Sequence, residues 1–441
     1  MAIRTADDAT PSPVAPPGAC PVSRIGAEFN PFHGAQLEDP YPFYARARRE
    51  EPVFYSPVTR MWYVTRYDDI VAVLRDPARF SSAQSVDLPL DFTPETREAI
   101  RTSYLSRCSL IDNDPPSHTQ IRRMVNKAFA ARRTADLEAR VRAIAADLID
   151  RFAARGHADL VEELAFPLPM RVILSVLGAP EGDLGQLKRW SDDWMTLVAV
   201  QLTPERQREV VGRLLESERY WTSLIEERRA RPRDDLLSDL LEASQEEQPP
   251  VPLLQLVNVC AVLVLAGHET TMNLLGLCVH RLLREPDAWR LVCEDPANIP
   301  GAVEETLRAD TSVHALMRTT MAPVEVGGVK LPKGAQLALL FASANHDEAH
   351  FQDGAQFDLR REDAARHLAF GHGIHYCVGA QLARLEVRVA LELLIERLPG
   401  LRLVPDQEIT YVVNPIHRGL KALQIAWDTR GDEGARHTLR A

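Results

Sequence analysis

Residues 370–379 read Phe-Gly-His-Gly-Ile-His-Tyr-Cys-Val-Gly, a glycine-rich loop that runs into an amphipathic stretch from about Val378 to Arg397. One cysteine, Cys377, is thereby delivered to the start of a predicted helix. Backbone amides and aligned peptide dipoles at a helix N-terminus stabilise negative charge, so this cysteine is expected as the thiolate, the form that ligates a metal. Gly371, Gly373 and Gly379 lack side chains, which lets the backbone turn sharply and lie close against a flat ligand. That layout suits a bulky planar cofactor. Two other readings stand beside it. Cys377 could be a small buried hydrophobe, or His367, His372, His375 and Cys377 could hold zinc, although their spacing matches no common zinc pattern. A covalently attached c-type haem would need a CxxCH run, which the chain lacks.

Upstream, Ala266-Gly-His-Glu-Thr-Thr271 falls in the middle of the longest apolar helical pattern, Leu253 to Leu283. Ala266 and Thr270 lie one turn apart on one face, and the small residues at 266 and 267 leave room for a bound diatomic. The Thr270 hydroxyl can hydrogen-bond such a ligand. Glu269, costly to bury without purpose, can pass protons inward through water. The alternative is that Thr270 back-bonds to the preceding turn and Glu269 pairs with an arginine.

These residues carry a resemblance. Phe370, Gly373, His375, Cys377 and Gly379 satisfy F-x-x-G-x-H-x-C-x-G, which resembles the haem-binding signature of the cytochrome P-450 family, and residues 266–271 resemble that family's A-G-x-[DE]-T-T motif. The likeness runs from DPYPFYARARREEP, at residues 39–52, to the last strands. It implies a mainly α protein with the cytochrome P-450 fold: one large helical domain with a small β-rich lobe, over residues 26–428. Residues 1–25 and 429–441 are expected to be a flexible and a disordered tail.

The same resemblance implies haem b held between Cys377, its metal ligand, and the helix bearing Thr270. Ala266, Phe370, Gly371, His375 and Gly379 would line the cofactor. His118 and Arg122, four apart at a predicted helix start, would grip a propionate together with Arg318 and His375. Glu305 and Arg308, three apart on a helix, would support the haem pocket structurally. Substrate would meet Ala266, Val313, His314 and Ile416, with the polar loop from about Ser81 to Ser109 closing the pocket. The chain departs from the family pattern twice: Thr311 stands where proline is common, and Asn345-His-Asp-Glu348 stands where Asn-Arg-Asp-Pro is common. The first departure bears on the strand from Ser312 to Met317, and so on whether His314 faces substrate.

The implied reaction inserts one atom of O2 into an apolar small molecule, by hydroxylation or epoxidation in natural-product tailoring. Thiolate ligation favours O–O cleavage, and Thr270 with Glu269 would deliver protons. The chain has no G-x-G-x-x-G fingerprint and no iron–sulfur cysteine cluster, so the electrons are expected from a ferredoxin and an NAD(P)H-dependent ferredoxin reductase. Two rival classes remain: a haem-binding or sensing module without turnover, which would not require Glu269 and Thr270, and a zinc-dependent hydrolase built on the histidine-rich loop.

Composition narrows the partners. With 441 residues, 45% of them hydrophobic, the chain can bury a large core, and a net charge of -11 argues against nucleic acid. From Pro115 to Ala135 there are no acids but Arg122, Arg123, Lys127, Arg132 and Arg133, while Arg366, Arg384 and Arg388 flank the cysteine loop. This is either a solvated face or a positive docking surface for an acidic electron donor. The six cysteines, Cys20, Cys108, Cys260, Cys278, Cys293 and Cys377, are scattered without a CxxC pair, as expected in the reducing cytoplasm. The most apolar run, Val259 to Gly267, ends at His268 and Glu269, short of the roughly 20 residues a membrane span needs, so none is expected.

Overall fold

The computed structural model describes residues 23–83, 91–107, 109–130, 134–199 and 202–429. Most of both expected tails lies outside them, but the inner edge of the N-terminal one is corrected. Ser23 caps the helix Arg24–Glu28 by accepting from the Gly26 amide, and Ile25 is fully buried. Ile25 and Phe29 complete an aromatic cluster with Phe43, Phe54 and Tyr63, which draws residues 23–25 into the folded body.

Helices dominate where the sequence has three- and four-residue apolar spacing. They include Thr134–Asp150, Pro167–Leu177, Pro204–Ala230, Leu253–Arg284, Ile299–Ala309 and Ala380–Arg397. Local chemistry sets their ends. Thr203 caps one start by accepting from the Arg206 amide, with Pro204 following. Gly178 closes Pro167–Leu177 in the left-handed region, at φ 79°.

Leu253–Arg284 spans 32 residues, longer than the apolar run alone suggests, because the helix continues through His268 and Glu269. By length and composition it could cross a membrane, but more than half of its most apolar stretch is buried in the protein. It packs against Pro167–Leu177 and Pro204–Ala230 as the central rod of the helical core.

The β lobe is a five-stranded sheet in the order Val53–Ser56, Met61–Val64, Gln336–Leu340, Ala315–Thr320, Phe80–Ser81. Met61–Val64 runs parallel to Gln336–Leu340 with Trp62 opposite Leu337, and Ala315–Thr320 runs antiparallel to it with Arg318 opposite Leu337. A β-hairpin pairs Val324–Val326 with Val329–Leu331. At the entry to Ala315–Thr320 the His314 and Ala315 amides both address the Ile416 carbonyl, at 2.7 and 3.4 Å. Two successive amides on one carbonyl is the pattern of a bulge, and it breaks the alternation of side chains by one residue.

Candidate active site

A cavity of about 370 Å³ lies between the 370–379 loop and the long helix. On the loop side, the Cys377 amide donates to the Phe370 carbonyl at 2.9 Å, closing the turn. Gly371 and Gly373 are left-handed, and a Cβ on Gly373 would stand 2.9 Å from the Leu74 carbonyl, so the turn admits only glycine there. The helix begins at Ala380, directly after Gly379. Phe370, Gly371, His375, Cys377 and Gly379 all line the cavity. Burial pushes the Cys377 thiol up, and the Gly379 amide, Arg122 and Arg384 only partly counter it. A coordinated metal is what would keep this sulfur deprotonated.

Beside the cysteine, the His118 and His375 rings lie 4.0 Å apart. Among the described residues, Nε2 of buried His118 and both ring nitrogens of His375 have no hydrogen-bond partner, although the Leu110 backbone acts on the His375 ring. Burial first, then Arg122, drives His118 down to about 4; burial first, then Arg318, drives His375 down to about 3. Arg318 is itself lowered to about 10 by burial, and it donates to the adjacent Met317 carbonyl at 2.7 Å. Arg122 donates to the Tyr376 carbonyl at 2.6 Å. Among the described residues no carboxylate hydrogen-bonds these four side chains. Buried donors left this way are costly, and an anionic group entering the cavity would satisfy them. A flat cofactor with carboxylate arms and a thiolate-loving metal fits these residues.

On the opposite wall are Ala266, Glu269 and Thr270. Thr270 Oγ1 donates to the Ala266 carbonyl at 2.9 Å, so the back-bonded arrangement is the one present. Its proton is committed within the helix, and its lone pairs remain as acceptors toward the cavity. Among the described residues no arginine pairs with Glu269. Its Oε1 lies 3.5 Å from Nδ1 of His417. Burial pushes the Glu269 carboxyl up, but His417, His268 and Lys188 outweigh it and hold it below the usual range.

Val313 and Ile416 line the cavity as expected, and His314 does not. The bulge turns His314 to the other side of the sheet, where its ring stands 6.2 and 6.3 Å from those of Tyr41 and Tyr44. On this wall, away from the cysteine loop, the imidazole that reaches the cavity is His417, which sequence reasoning missed; the only signal was its place beside Ile416 in the Asn414-Pro-Ile-His-Arg turn. Residues 84–90 and Cys108 of the Ser81–Ser109 loop lie outside the described residues. Leu110 and Ile111, just past that loop, line the cavity along with Ile173, Trp194, Met195 and Val198.

Glu305 and Arg308 are fully buried and stand away from the cavity. Arg308 donates to the carbonyls of Asn345, Gly354 and Gln356 at 2.8 to 2.9 Å, and Glu305 accepts from the Asp358 amide at 2.9 Å and from Arg361 at 3.2 Å. Asn345 in turn accepts from the Leu368 amide at 2.7 Å, two residues before the cysteine loop. In the departing run, Glu348 receives two hydrogen bonds from Arg48, at 3.1 and 3.3 Å.

The expected positive face is largely neutralised by carboxylates from other elements. Arg123 pairs with Glu247, Lys127 with Glu246, Arg384 with Glu304, and Arg388 with Glu138 and Glu392. Arg132 and Arg133 lie outside the described residues. The zinc alternative finds no donor set: among the described residues no group of three or more His, Cys, Asp or Glu is placed to hold a metal ion. His367 instead faces Glu304 at 3.4 Å and His372 accepts from Arg75 at 3.1 Å.

A helical body with a small β lobe, a cysteine loop opposite a cavity-facing threonine, and buried donors awaiting an anion define a haem-thiolate protein. The cytochrome P450 family model matches residues 54–296 and 299–409. The chain is 38% identical to the cytochrome P450 monooxygenase PikC of Streptomyces venezuelae, over 99% of each chain. It is 36% identical to the mycinamicin IV hydroxylase/epoxidase of Micromonospora griseorubida, over 90% of this chain and 98% of that one. Among solved structures, the Tepidiphilus thermophilus P450 haem domain superposes with a TM-score of 0.85 at 32% identity, covering 92% of this chain and 98% of that one. The chain belongs to the cytochrome P450 family. It is a haem-dependent monooxygenase, an oxidoreductase that incorporates oxygen and draws electrons from a redox partner.

Proposed function

We propose that the protein is a haem b monooxygenase that hydroxylates or epoxidises an apolar small molecule in natural-product tailoring. The observation that carries this reading is one cavity lined by Cys377 on one wall and by Ala266, Glu269 and Thr270 on the other. Cys377 would ligate the iron, with His118, Arg122, Arg318 and His375 on the propionates. When bound, the haem supplies the iron at which O2 is reduced and one oxygen atom passes to substrate. For a hydroxylation the balance is R–H, O2, two electrons and two protons giving R–OH and water.

This chain's own residues supply the rest. Ile173, Trp194, Met195, Val198, Val313 and Ile416 would hold an apolar substrate and exclude water. Glu269 would hold and release protons at its carboxylate, and Thr270, with its lone pairs turned to the cavity, would accept a hydrogen bond from an ordered water on that route. Relatives named as a hydroxylase/epoxidase support the reaction class and the natural-product setting. The electrons would come from NAD(P)H through a reductase and a ferredoxin, since the chain contains no flavin or iron–sulfur fingerprint. Cytoplasmic residence is supported by scattered cysteines, four of which are free among the described residues.

The test is the absorption spectrum of the purified, dithionite-reduced protein under carbon monoxide, beside a Cys377→Ser variant. A strongly red-shifted Soret band in the wild type alone is expected. A colourless protein, or the same band in both, would overturn the reading.

A further inference from the structure

The segment 414–419 is fixed with unusual completeness for a loop. The Asn414 side chain accepts from the Ile416 and His417 amides at 2.8 and 3.1 Å, His417 bridges Val313, and the Arg418 amide donates to the Ser312 carbonyl at 2.9 Å. The Arg418 guanidinium is anchored to Asp310 at 3.0 Å and to the Leu37 and Glu38 carbonyls at 2.8 and 2.7 Å. The loop then lies flat on the long helix. A Cβ on Gly419 would collide with the Asn273 side-chain amide, one turn beyond Glu269. Only a glycine lets the chain approach there. His417 is therefore held by its backbone, and its ring meets Glu269 within a cavity whose walls are otherwise mostly apolar.

We propose that His417 is a positioning residue for Glu269: its Nδ1 contact to Oε1 ties the carboxylate of the long helix to the C-terminal loop, so that proton exchange at Glu269 depends on where the loop sits. The other groups that act on this carboxylate are its neighbour His268 and Lys188 of the helix Leu184–Ala199, with Asp192 acting on His268. Of these, His417 acts most strongly and is the only one offered by the loop. The proposal rests on the monooxygenase reading for its consequence, but the contact itself can be measured without turnover.

The experiment is an infrared titration of the haem-loaded protein, following the protonated-carboxyl band that disappears in Glu269→Gln. In His417→Phe the band should appear about one pH unit or more higher than in the wild type, because the ring that offsets burial is gone. Gly419→Ala, which displaces the loop and keeps the imidazole, should move it the same way, and His417→Gln should restore part of the shift. With a surrogate ferredoxin and reductase, the share of NAD(P)H electrons lost to hydrogen peroxide should rise in both His417→Phe and Gly419→Ala. An unmoved midpoint in a folded His417→Phe protein with a normal reduced-carbonyl spectrum would overturn the proposal and leave the haem-thiolate reading standing. Loss of that spectrum in the wild type would instead strike the reading beneath it.

Discussion

Glu305 and Arg308 meet through two hydrogen bonds, at 2.6 and 2.8 Å, with neither side chain exposed. One turn of helix thereby holds the carbonyls of residues 345, 354 and 356 and the amide of Asp358. Removing Glu305 leaves the buried Arg308 charge without its carboxylate, and removing Arg308 leaves buried Glu305 with Arg361 alone, at 3.2 Å. Arg308→Leu and Glu305→Leu should each cost about 3–5 kcal/mol in unfolding free energy. Because the segment they hold leads to the cysteine loop, haem retention during gel filtration should fall in both. Denaturant melts of the two variants, read beside their haem content, check this; a loss under 1 kcal/mol would refute it.

The buried donors around His118 and Arg318 should matter for the cofactor more than for the fold. Among the described residues no carboxylate is hydrogen-bonded to Arg318, and burial already works against its charge. Arg318→Met should leave apoprotein stability unchanged or raised, since an unneeded buried cation is removed. Haem transfer to apomyoglobin should quicken at least about tenfold, from loss of a charge-assisted contact. Equal transfer rates would show that Arg318 does not serve the cofactor.

Thr270→Val keeps the shape of the side chain and removes the hydroxyl that back-bonds to Ala266. The fold should tolerate this, with a stability change of about 1 kcal/mol or less. Product formation should fall about 10²-fold while NAD(P)H consumption continues and peroxide accumulates. Unchanged coupling in the variant would place the proton route elsewhere.

His314 yields a prediction about acid stability. Burial first, then Arg418, pushes it down to about 3, whereas an unfolded histidine takes up its proton near 6.5. Below pH 6.5 the unfolded chain binds a proton that the folded chain refuses, so stability declines as pH falls from about 6.5 toward 3. In His314→Phe this decline should be shallower, measured as denaturant midpoints at pH 7, 6 and 5. His280 and His346, both lowered to about 4, should preserve part of it. Substrate affinity should not change, since His314 faces Tyr41 and Tyr44 and not the cavity.

Much of this was legible in the chain. The helices over Thr134–Asp150, Pro204–Ala230 and Leu253–Arg284 follow from apolar spacing and capping, and the spacing of 370–379 placed Cys377 at a helix start. These are local properties, set by neighbours within a few residues. The Glu305–Arg308 pair was also local, being three apart on one helix, but the backbone groups it holds were not.

What the sequence by itself determined is the family, the cysteine loop that lines the cavity, and the helix that carries Ala266, Glu269 and Thr270, because each is written in a short run whose geometry depends on its own spacing. Only the tertiary structure decided which imidazole enters the cavity beside Val313 and Ile416. A single bulge between His314 and Ala315 turns one histidine away, and the close approach of Gly419 to Asn273 brings His417 to Glu269 across 148 positions of chain. Register and long-range packing set such contacts, and no local pattern encodes them.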